Sequence, residues 1–447
     1  MTGTSCSVIV ALVFAGISFL RAQEPPMQRA DSAIVEGKAF VEHLVSGDFA
    51  TGFSLLDSTM KTLFPDPKLK EMWEEVVAKA GAFDNQLGAR TQKYMMYDVV
   101  FVTCAFGRDT LDVSVVLNPA GSVAGLHFTK GKTALAYQEP SYVDRKLFTE
   151  TEVTIGSGTW ALRGTIAMPL NATSSPAIVL VHGSGANDRD ETIGPNKPFR
   201  DLAWGLASRG IAVLRYEKRT REHAAQMAAI KQHLTVNEET IDDAMAAVAL
   251  LRRTQGIDTN KIFILGHSLG GMLVPRIGLR DPRIAGFVVL AGATRPLQDL
   301  FVEQSSYILS LNGTPFEQQQ NQIAVLESHR MEVNNLKKSD TASTETYLGA
   351  PASYWLDLQG YKPAQVAKKL KMPMLILQGE RDYQVTMKDF EAWKSALSGR
   401  KNVSFKVYPN LNHLFIAGEG KSVPAEYDKA GHVAPGVVEN IAQWMTK

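Results

Sequence analysis

One stretch of the chain limits its fold more than any other: Lys261-Ile262-Phe263-Ile264-Leu265-Gly266-His267-Ser268-Leu269-Gly270-Gly271. Ile262 to Leu265 is a short apolar run of the kind a buried strand carries. It leads straight into Gly-His-Ser-Leu-Gly, a match to G-x-S-x-G. A serine at the tip of a sharp strand-to-helix turn is forced into a strained backbone geometry. Residues two positions to either side must then be tiny, and Gly266 and Gly270 meet that demand. Such a turn exposes the Ser268 Oγ at the head of a helix. There the Leu269 N–H is free to face a negative oxygen and the helix dipole favours negative charge.

At 447 residues the chain has room for two or three domains. Its 45% hydrophobic and 21% charged residues describe an ordinary globular protein. A formal charge of +1 offers no basic field for nucleic acid and no acidic field for cationic partners. Two cysteines, Cys6 and Cys104, make neither a metal spacing nor a disulfide framework. Val8 to Leu20 is an apolar and small-residue run, too short to span a bilayer, followed by Arg21-Ala22-Gln23 and polar Glu24-Pro25-Pro26. It reads as the apolar part of a signal peptide over 1–23, so the mature protein is expected to be exported to a bacterial periplasm or secreted, without a membrane span.

Residues 24–140 read as a small α+β domain with its linker. Ile34, Phe40, Val41, Leu44 and then Leu69, Met72, Trp73, Val76 and Val77 recur at helical spacing. Tyr97 to Cys104, Leu111 to Leu117 and Val123 to Phe128 read as strands, with Asn118-Pro119-Ala120-Gly121 turning between the last two. Helices first and an antiparallel sheet second mean an α+β module. Thr133 to Asp144, with Pro140, reads as the linker. This part resembles the small cone-shaped domains of the nuclear-transport-factor-2-like (NTF2-like) type, and most of all the uncharacterised bacterial domain found ahead of hydrolases. It is the natural place to expect a homo-oligomer contact.

Residues 141–447 alternate apolar runs with amphipathic helices. Val153–Ile155 with Trp160–Met168, then Ala177–Val181, Ile211–Leu214, Ile262–Leu265, Ala285–Leu290, Met374–Leu377 and Phe405–Tyr408 read as strands. Thr235 with Glu238 forms a capping box ahead of the helix that carries Ile241, Ala244, Met245, Val248 and Leu251. Continuous apolar strands separated by helices predict a doubly wound, mostly parallel sheet covered on both faces. Pro275 falls inside the helix after Ser268, where proline costs about 3 kcal/mol and a kink is expected. Thr294 to Pro363 breaks the rhythm with a Gln-, Glu- and Asn-rich stretch, followed by Tyr354, Trp355 and Tyr361.

From Leu147 onward the chain resembles the α/β-hydrolases. Gly-His-Ser-Leu-Gly-Gly, His182-Gly183-Ser184-Gly185 and the order serine, acid, histidine all match that family. Gly185 to Phe199 is similar to a bacterial branch of exported serine hydrolases related to the dienelactone-hydrolase and prolyl-oligopeptidase groups. The resemblance implies a Ser-His-Asp triad and an acyl-enzyme route on short acyl or aryl esters, that is, a serine carboxylesterase acting on a small-molecule substrate. It also implies that the insertion at about 294–363 forms a helical lid. Two alternatives stand beside this: a serine peptidase or aminoacyl-amidase of prolyl-oligopeptidase type, and a ligand-binding module with an idle hydrolase domain.

Ser268 is then the nucleophile. Asp382, in the turn after the Met374–Leu377 strand, is the expected acid, with Glu380 its competitor. His413, after the last strand, is the expected base, with His432 held in reserve. The oxyanion hole is expected to pair the Leu269 N–H with a donor from the loop after Val181, Ser184 first and Gly183 second. His182 resembles the loop-fixing histidine of H-G-x-G sequences, and the His267 side chain is expected to turn away from Ser268. Asp188, Asp190 and Glu191 with Arg189 read as a salt-bridged loop at the pocket rim rather than a metal cluster. No cofactor is implied, since neither G-x-G-x-x-G nor a P-loop appears.

Overall fold

A computed structural model describes residues 26–94, 97–131, 137–311, 316–343 and 345–447. The signal-peptide reading lies outside the described residues. The chain divides into two compact units, Met1–Leu135 and Ala136–Lys447.

The first unit opens with the helices Pro26–Ser46, Phe49–Ser54, Ser58–Leu63 and Asp66–Ala80. Asp48 and Asp57 cap the second and third, accepting from the N–H groups of Thr51 and Met60. An antiparallel sheet follows, β1 (Phe83–Tyr94), β2 (Tyr97–Phe106), β3 (Thr110–Leu117) and β4 (Val123–Lys130), in that spatial order. β2 and β3 bury Val100, Val102, Val113, Val115 and Leu117 against Phe40, Val41, Leu44 and Trp73 of the helices. The first helix comes close to the sheet: a Cβ on Gly37 would lie 2.7 Å from Val100 Cγ1. β1 is the strand that apolar patterning misses. It sits at the sheet edge and reads Asp-Asn-Gln-Leu-Gly-Ala-Arg-Thr-Gln-Lys after Phe83, with no apolar alternation to mark it.

The second unit holds an eight-stranded sheet. Its strands are β5 (Phe148–Ile155), β6 (Leu162–Pro169), β7 (Ser175–Val181), β8 (Ala212–Tyr216), β9 (Ile257–His267), β10 (Gly286–Leu290), β13 (Met374–Gly379) and β14 (Val403–Tyr408). A short hairpin, β11 (Thr346–Tyr347) with β12 (Ala350–Pro351), lies outside it. The spatial order is β14-β13-β10-β9-β7-β8-β6-β5. From β14 to β8 every pair is parallel, while β6 runs antiparallel to β8 and β5 antiparallel to β6. The sheet is thus mixed, mostly parallel, with the expected hairpin at one edge.

The continuous apolar runs are explained by burial on both faces. Ala177, Val179, Ile262, Ile264, Val289 and Ile376 point to one side, against the helices Asp242–Leu251 and Leu269–Arg280. Ile178, Leu180, Phe263, Leu265, Val288 and Leu377 point to the other, against Pro198–Ala207 and Pro435–Thr446. The chain leaves β7 for β8 on one side and returns to β9 and β10 on the other. The crevice outside the carboxyl ends of these strands is where such sheets place their ligands.

The helix Leu269–Arg280 runs through Pro275. The Met272 carbonyl, one turn earlier, accepts from the Tyr361 hydroxyl at 2.8 Å, so the insertion supplies a partner inside the disturbed turn. The later half of the expected linker belongs to the second unit: Tyr137 donates to Asp201 at 2.6 Å and Tyr142 to the Val433 carbonyl at 2.8 Å. Glu238 Oε2 accepts from the Thr235 N–H at 2.8 Å, as the expected capping box requires, while the Thr235 hydroxyl accepts from the Asn237 N–H rather than from that of Glu238, and the helix opens in a π turn, Asn237–Ile241.

Between β10 and β13 the inserted chain forms the helices Leu297–Leu311, Phe316–Asn335, Ala352–Leu358 and Pro363–Ala367. Its aromatics are packing residues, with Tyr354 and Trp355 buried and joined to the main core. Among the described residues no helix is long and apolar enough to cross a membrane.

Two glycines give a direct test of this packing. A Cβ on Gly270 would meet the Val181 carbonyl and lie 2.7 Å from that of His182, whereas one on Gly436 meets open space. Gly270→Ala is expected to lose about 3 kcal/mol of stability, and Gly436→Ala to gain up to about 1 kcal/mol. Urea denaturation of the two variants checks both.

Candidate active site

The elbow forms because backbone fills every space a side chain would need. Ser268 sits at φ 52°, ψ −114°, between the end of β9 and the helix Leu269–Arg280. A non-glycine residue held there costs about 1–3 kcal/mol, which persists only where the surroundings fix it. They do so here. A Cβ on Gly266 would meet the Gly270 carbonyl and lie 2.6 Å from the Gly271 N, and one on Gly271 would lie 2.8 Å from Gly292 Cα. The Ser268 N–H is held by the Leu290 carbonyl at 2.9 Å. Ser268 itself is half-buried, and the Leu269 N–H opens the helix behind it.

At the same edge of the sheet, the loops after β13 and β14 meet. His413 Nδ1 lies 2.7 Å from Asp382 Oδ2, with both residues buried. Asp382 accepts from the N–H groups of Gln384 at 2.8 Å and Val385 at 2.9 Å, and from Gln378 Nε2 at 3.2 Å. The Asp382 carboxylate accepts a hydrogen bond from Nδ1–H, which fixes the ring and leaves Nε2 as the acceptor nitrogen. Buried Asn412 ties the loop on either side, accepting from Leu414 N–H and Ile416 N–H. The competitors lie elsewhere. Glu380 is exposed, and His432 lies 3.2 Å from Asp201.

His267, the residue before Ser268, joins these parts. Its ring turns into the interior, 4.7 Å from the His413 ring, and its Nε2 lies 3.0 Å from the His413 carbonyl. Glu191 Oε2 stands 2.8 Å from His267 Nδ1. Burial disfavours the charged form of each, yet each outweighs that for the other. The Glu191 carboxylate raises His267 above its ordinary value, and His267 lowers Glu191. Glu191 Oε1 also accepts from the Gly183 N–H at 2.6 Å. That bond removes Gly183 from the oxyanion candidates and leaves Ser184, which is exposed on the loop.

The acidic loop therefore needs correction. Asp190 and Glu191 are not rim residues but are buried. Asp190 pairs with Arg215, and with Lys197 at 3.3 Å. Arg189 bridges Glu217 at 2.8 Å and Glu152 at 2.6 Å. Glu191 carries a positive φ of 51°. His182 fixes the loop as expected from the H-G-x-G likeness, its Nε2 lying 3.0 Å from the Asp188 carbonyl. Burial lowers it to about 4, so it is neutral at pH 7. Among the described residues no group of three or more His, Cys, Asp or Glu could hold a metal ion.

Sequence reasoning missed Lys218 and Glu239 and misplaced Glu191. Lys218, buried after β8, donates to the Gly183 carbonyl at 2.7 Å and to Glu239 at 2.6 Å. A lysine in Arg215-Tyr216-Glu217-Lys218-Arg219 looks like one of a solvated charge run, and only the fold turns it inward.

With this geometry in hand, the comparisons can be read. Residues 174–419 match the hydrolase family described as serine aminopeptidase, S33. The chain belongs to that family. Esterase EstD of Thermotoga maritima is 41% identical over 413 residues, which cover 92% of this chain and 95% of that protein. Among solved structures, Est1E of Butyrivibrio proteoclasticus is similar at 16% identity and a TM-score of 0.43, over 66% of this chain and 99% of that one. An esterase domain from Rhodothermus marinus follows at 15% identity and a TM-score of 0.40, over 66% and 97%. Residues 38–126 match a family of proteins of unknown function.

The buried pair makes stability pH-dependent. His267, raised above its usual 6.5, contributes stability that is fully present below 6.5 and lost as pH rises through its folded value. Glu191, lowered below 4.5, contributes stability present above 4.5 and lost as pH falls through its own. The advantage of the unsubstituted protein over Glu191→Gln is therefore expected to be largest at about pH 5–6.5 and to shrink toward pH 9. Melting temperatures of both proteins across that range check it.

Proposed function

We propose that this hydrolase is a serine carboxylesterase that works through Ser268, His413 and Asp382. One observation carries the reading: the 2.7 Å bond between His413 Nδ1 and Asp382, in a loop packed against the strained turn that presents Ser268. The esterase name of a relative that matches over 92% of the chain supports the reaction class.

The chemistry follows from these groups. His413 Nε2 takes the proton from Ser268 Oγ as the oxygen attacks the ester carbonyl. The N–H groups of Leu269 and Ser184 receive the oxyanion. His413 then gives its proton to the leaving alcohol, and a bond between acyl group and Ser268 Oγ remains. Water, deprotonated by His413, attacks that acyl-enzyme, the acyl–Oγ bond breaks, and His413 returns the proton to Ser268 Oγ as the acid leaves. Short acyl and aryl esters are the proposed substrates, and the helices between β10 and β13 the proposed cover of the acyl site.

Ser268→Ala is expected to abolish p-nitrophenyl acetate turnover while leaving the melting temperature near that of the parent. Asp382→Asn is expected to lower kcat by about 10³–10⁴-fold. Retained turnover in Ser268→Ala would remove the assignment.

The family description favours a second reading, in which the same residues cleave an aminoacyl amide. Aminoacyl p-nitroanilides assayed beside p-nitrophenyl esters of rising chain length separate the two, with the esters expected to be cleaved faster.

Export of the mature protein and an NTF2-like character of the first unit belong to the same proposal. Both rest on the apolar run Val8 to Leu20 and on helices preceding an antiparallel sheet. Sequencing the amino terminus of protein recovered outside the cytoplasm is expected to show loss of about the first 23 residues.

A further inference from the structure

The Gly183–Ser184 peptide has its two ends in opposite surroundings. Its carbonyl oxygen faces the interior, accepting from the Lys218 ammonium at 2.7 Å and from Asn187 Nδ2 at 3.2 Å. Ser184, which carries the N–H of the same peptide, is exposed. A trans peptide directs its C=O and its N–H in opposite directions, and the described residues contain no cis bond. The Ser184 N–H therefore points away from Lys218, toward the open side. The peptide also lies beside Ser268: a Cβ on Gly183 would lie 3.2 Å from Ser268 Cβ and 3.2 Å from Glu191 Oε1. The preceding peptide is held as well, since its N–H, on Gly183, donates to Glu191.

Lys218 is an unusual donor for such a task. It is 2% exposed, and an ammonium is costly to take from water unless it is paired. Its pair is Glu239 Oε1 at 2.6 Å, and Glu239 Oε2 accepts from the Tyr354 hydroxyl at 2.7 Å. Tyr354 stands on the insertion helix Ala352–Leu358, so a continuous bonded path runs from the insertion to the loop after β7. A charged donor on a carbonyl makes a shorter, stronger bond than a neutral one. It also draws electron density along the peptide, which makes the N–H at the far end a better donor.

We propose that Lys218 is a positioning residue of the oxyanion hole, acting through the Gly183–Ser184 peptide by fixing its plane and polarising its N–H toward the oxygen that becomes negative during ester attack. This rests on the reading of Ser268 as the nucleophile and of the Ser184 N–H as an oxyanion donor.

The test uses the full chain and three measurements: steady-state kinetics on p-nitrophenyl acetate, inhibition by a phenylboronic acid whose tetrahedral adduct mimics the transition state, and melting temperature. Lys218→Met alone strands the Glu239 charge, so it is combined with Glu239→Gln, which keeps an acceptor for Tyr354. The double variant is expected to lose about 10–50-fold in kcat, with KM within about twofold. The boronic acid is expected to weaken by about the same factor as kcat/KM. A purely structural role would lower the melting temperature without that matched loss in transition-state affinity. Where the methionine variant does not fold, Lys218→Gln with Glu239→Gln keeps polar groups in the pocket and carries the same expectation. A kcat and inhibitor affinity like the parent's, or a loss confined to KM, overturns the proposal. Fluorophosphonate labelling of the parent separates this from failure of the underlying reading. If Ser268 is not labelled, the nucleophile is wrong. If it is labelled and the Lys218 variants turn over normally, only the inference about Lys218 falls.

Discussion

A serine held at positive φ is the constraint on which the rest of the hydrolase unit depends. Nothing local favours φ 52° for Ser268, so the strain must be maintained by contacts that cannot yield. They are backbone contacts. The carbonyls of Val181 and His182 crowd Gly270, and Gly292 crowds Gly271. The end of β7, the start of the helix Leu269–Arg280 and the turn after β10 thus share one tightly packed volume, and each strand end has to be where the sheet register puts it. Close packing of this kind transmits displacement rather than absorbing it.

The loop after β7 and its neighbours carry buried charge. Glu191 with His267, Asp190 with Arg215, and Lys218 with Glu239 are all ion pairs between largely buried residues. Such pairs are weak sources of net stability, because desolvation offsets most of the attraction. They are strong sources of geometry, since a buried charge without its partner is far costlier than one with it. Glu191 shows the use. It accepts a positive φ and in return holds a backbone N–H of the loop after β7 with one oxygen and the histidine beside Ser268 with the other.

Much of this unit could be read from residue order. The β9 run, the paired glycines, and an aspartate and a histidine each following an apolar run mark positions where burial and chemistry coincide, and Asp382 does meet His413. What could not be read has three physical causes. β1 has no apolar period, because none of its described side chains is buried. Tyr137 and Tyr142 looked like linker because their partners, Asp201 and Val433, are remote in sequence. Lys218, Glu239 and Glu191 looked solvated because a charge is expected outside. Only the folded sheet brings an ammonium, two carboxylates and a glycine peptide within bonding distance. Gly183 was a reasonable donor until Glu191 was seen to occupy its N–H.

The cage of carbonyls about Gly270 has a consequence for how this scaffold can be altered. Because main-chain atoms make it, no exchange of side chains near Ser268 can widen or reshape that floor without dismantling it. On the proposed reading of the helices inserted between β10 and β13 as the cover of the acyl site, laboratory selection for new esters should therefore find its permissive positions there. Changes at Tyr354 are the exception, since its hydroxyl is spoken for by Glu239.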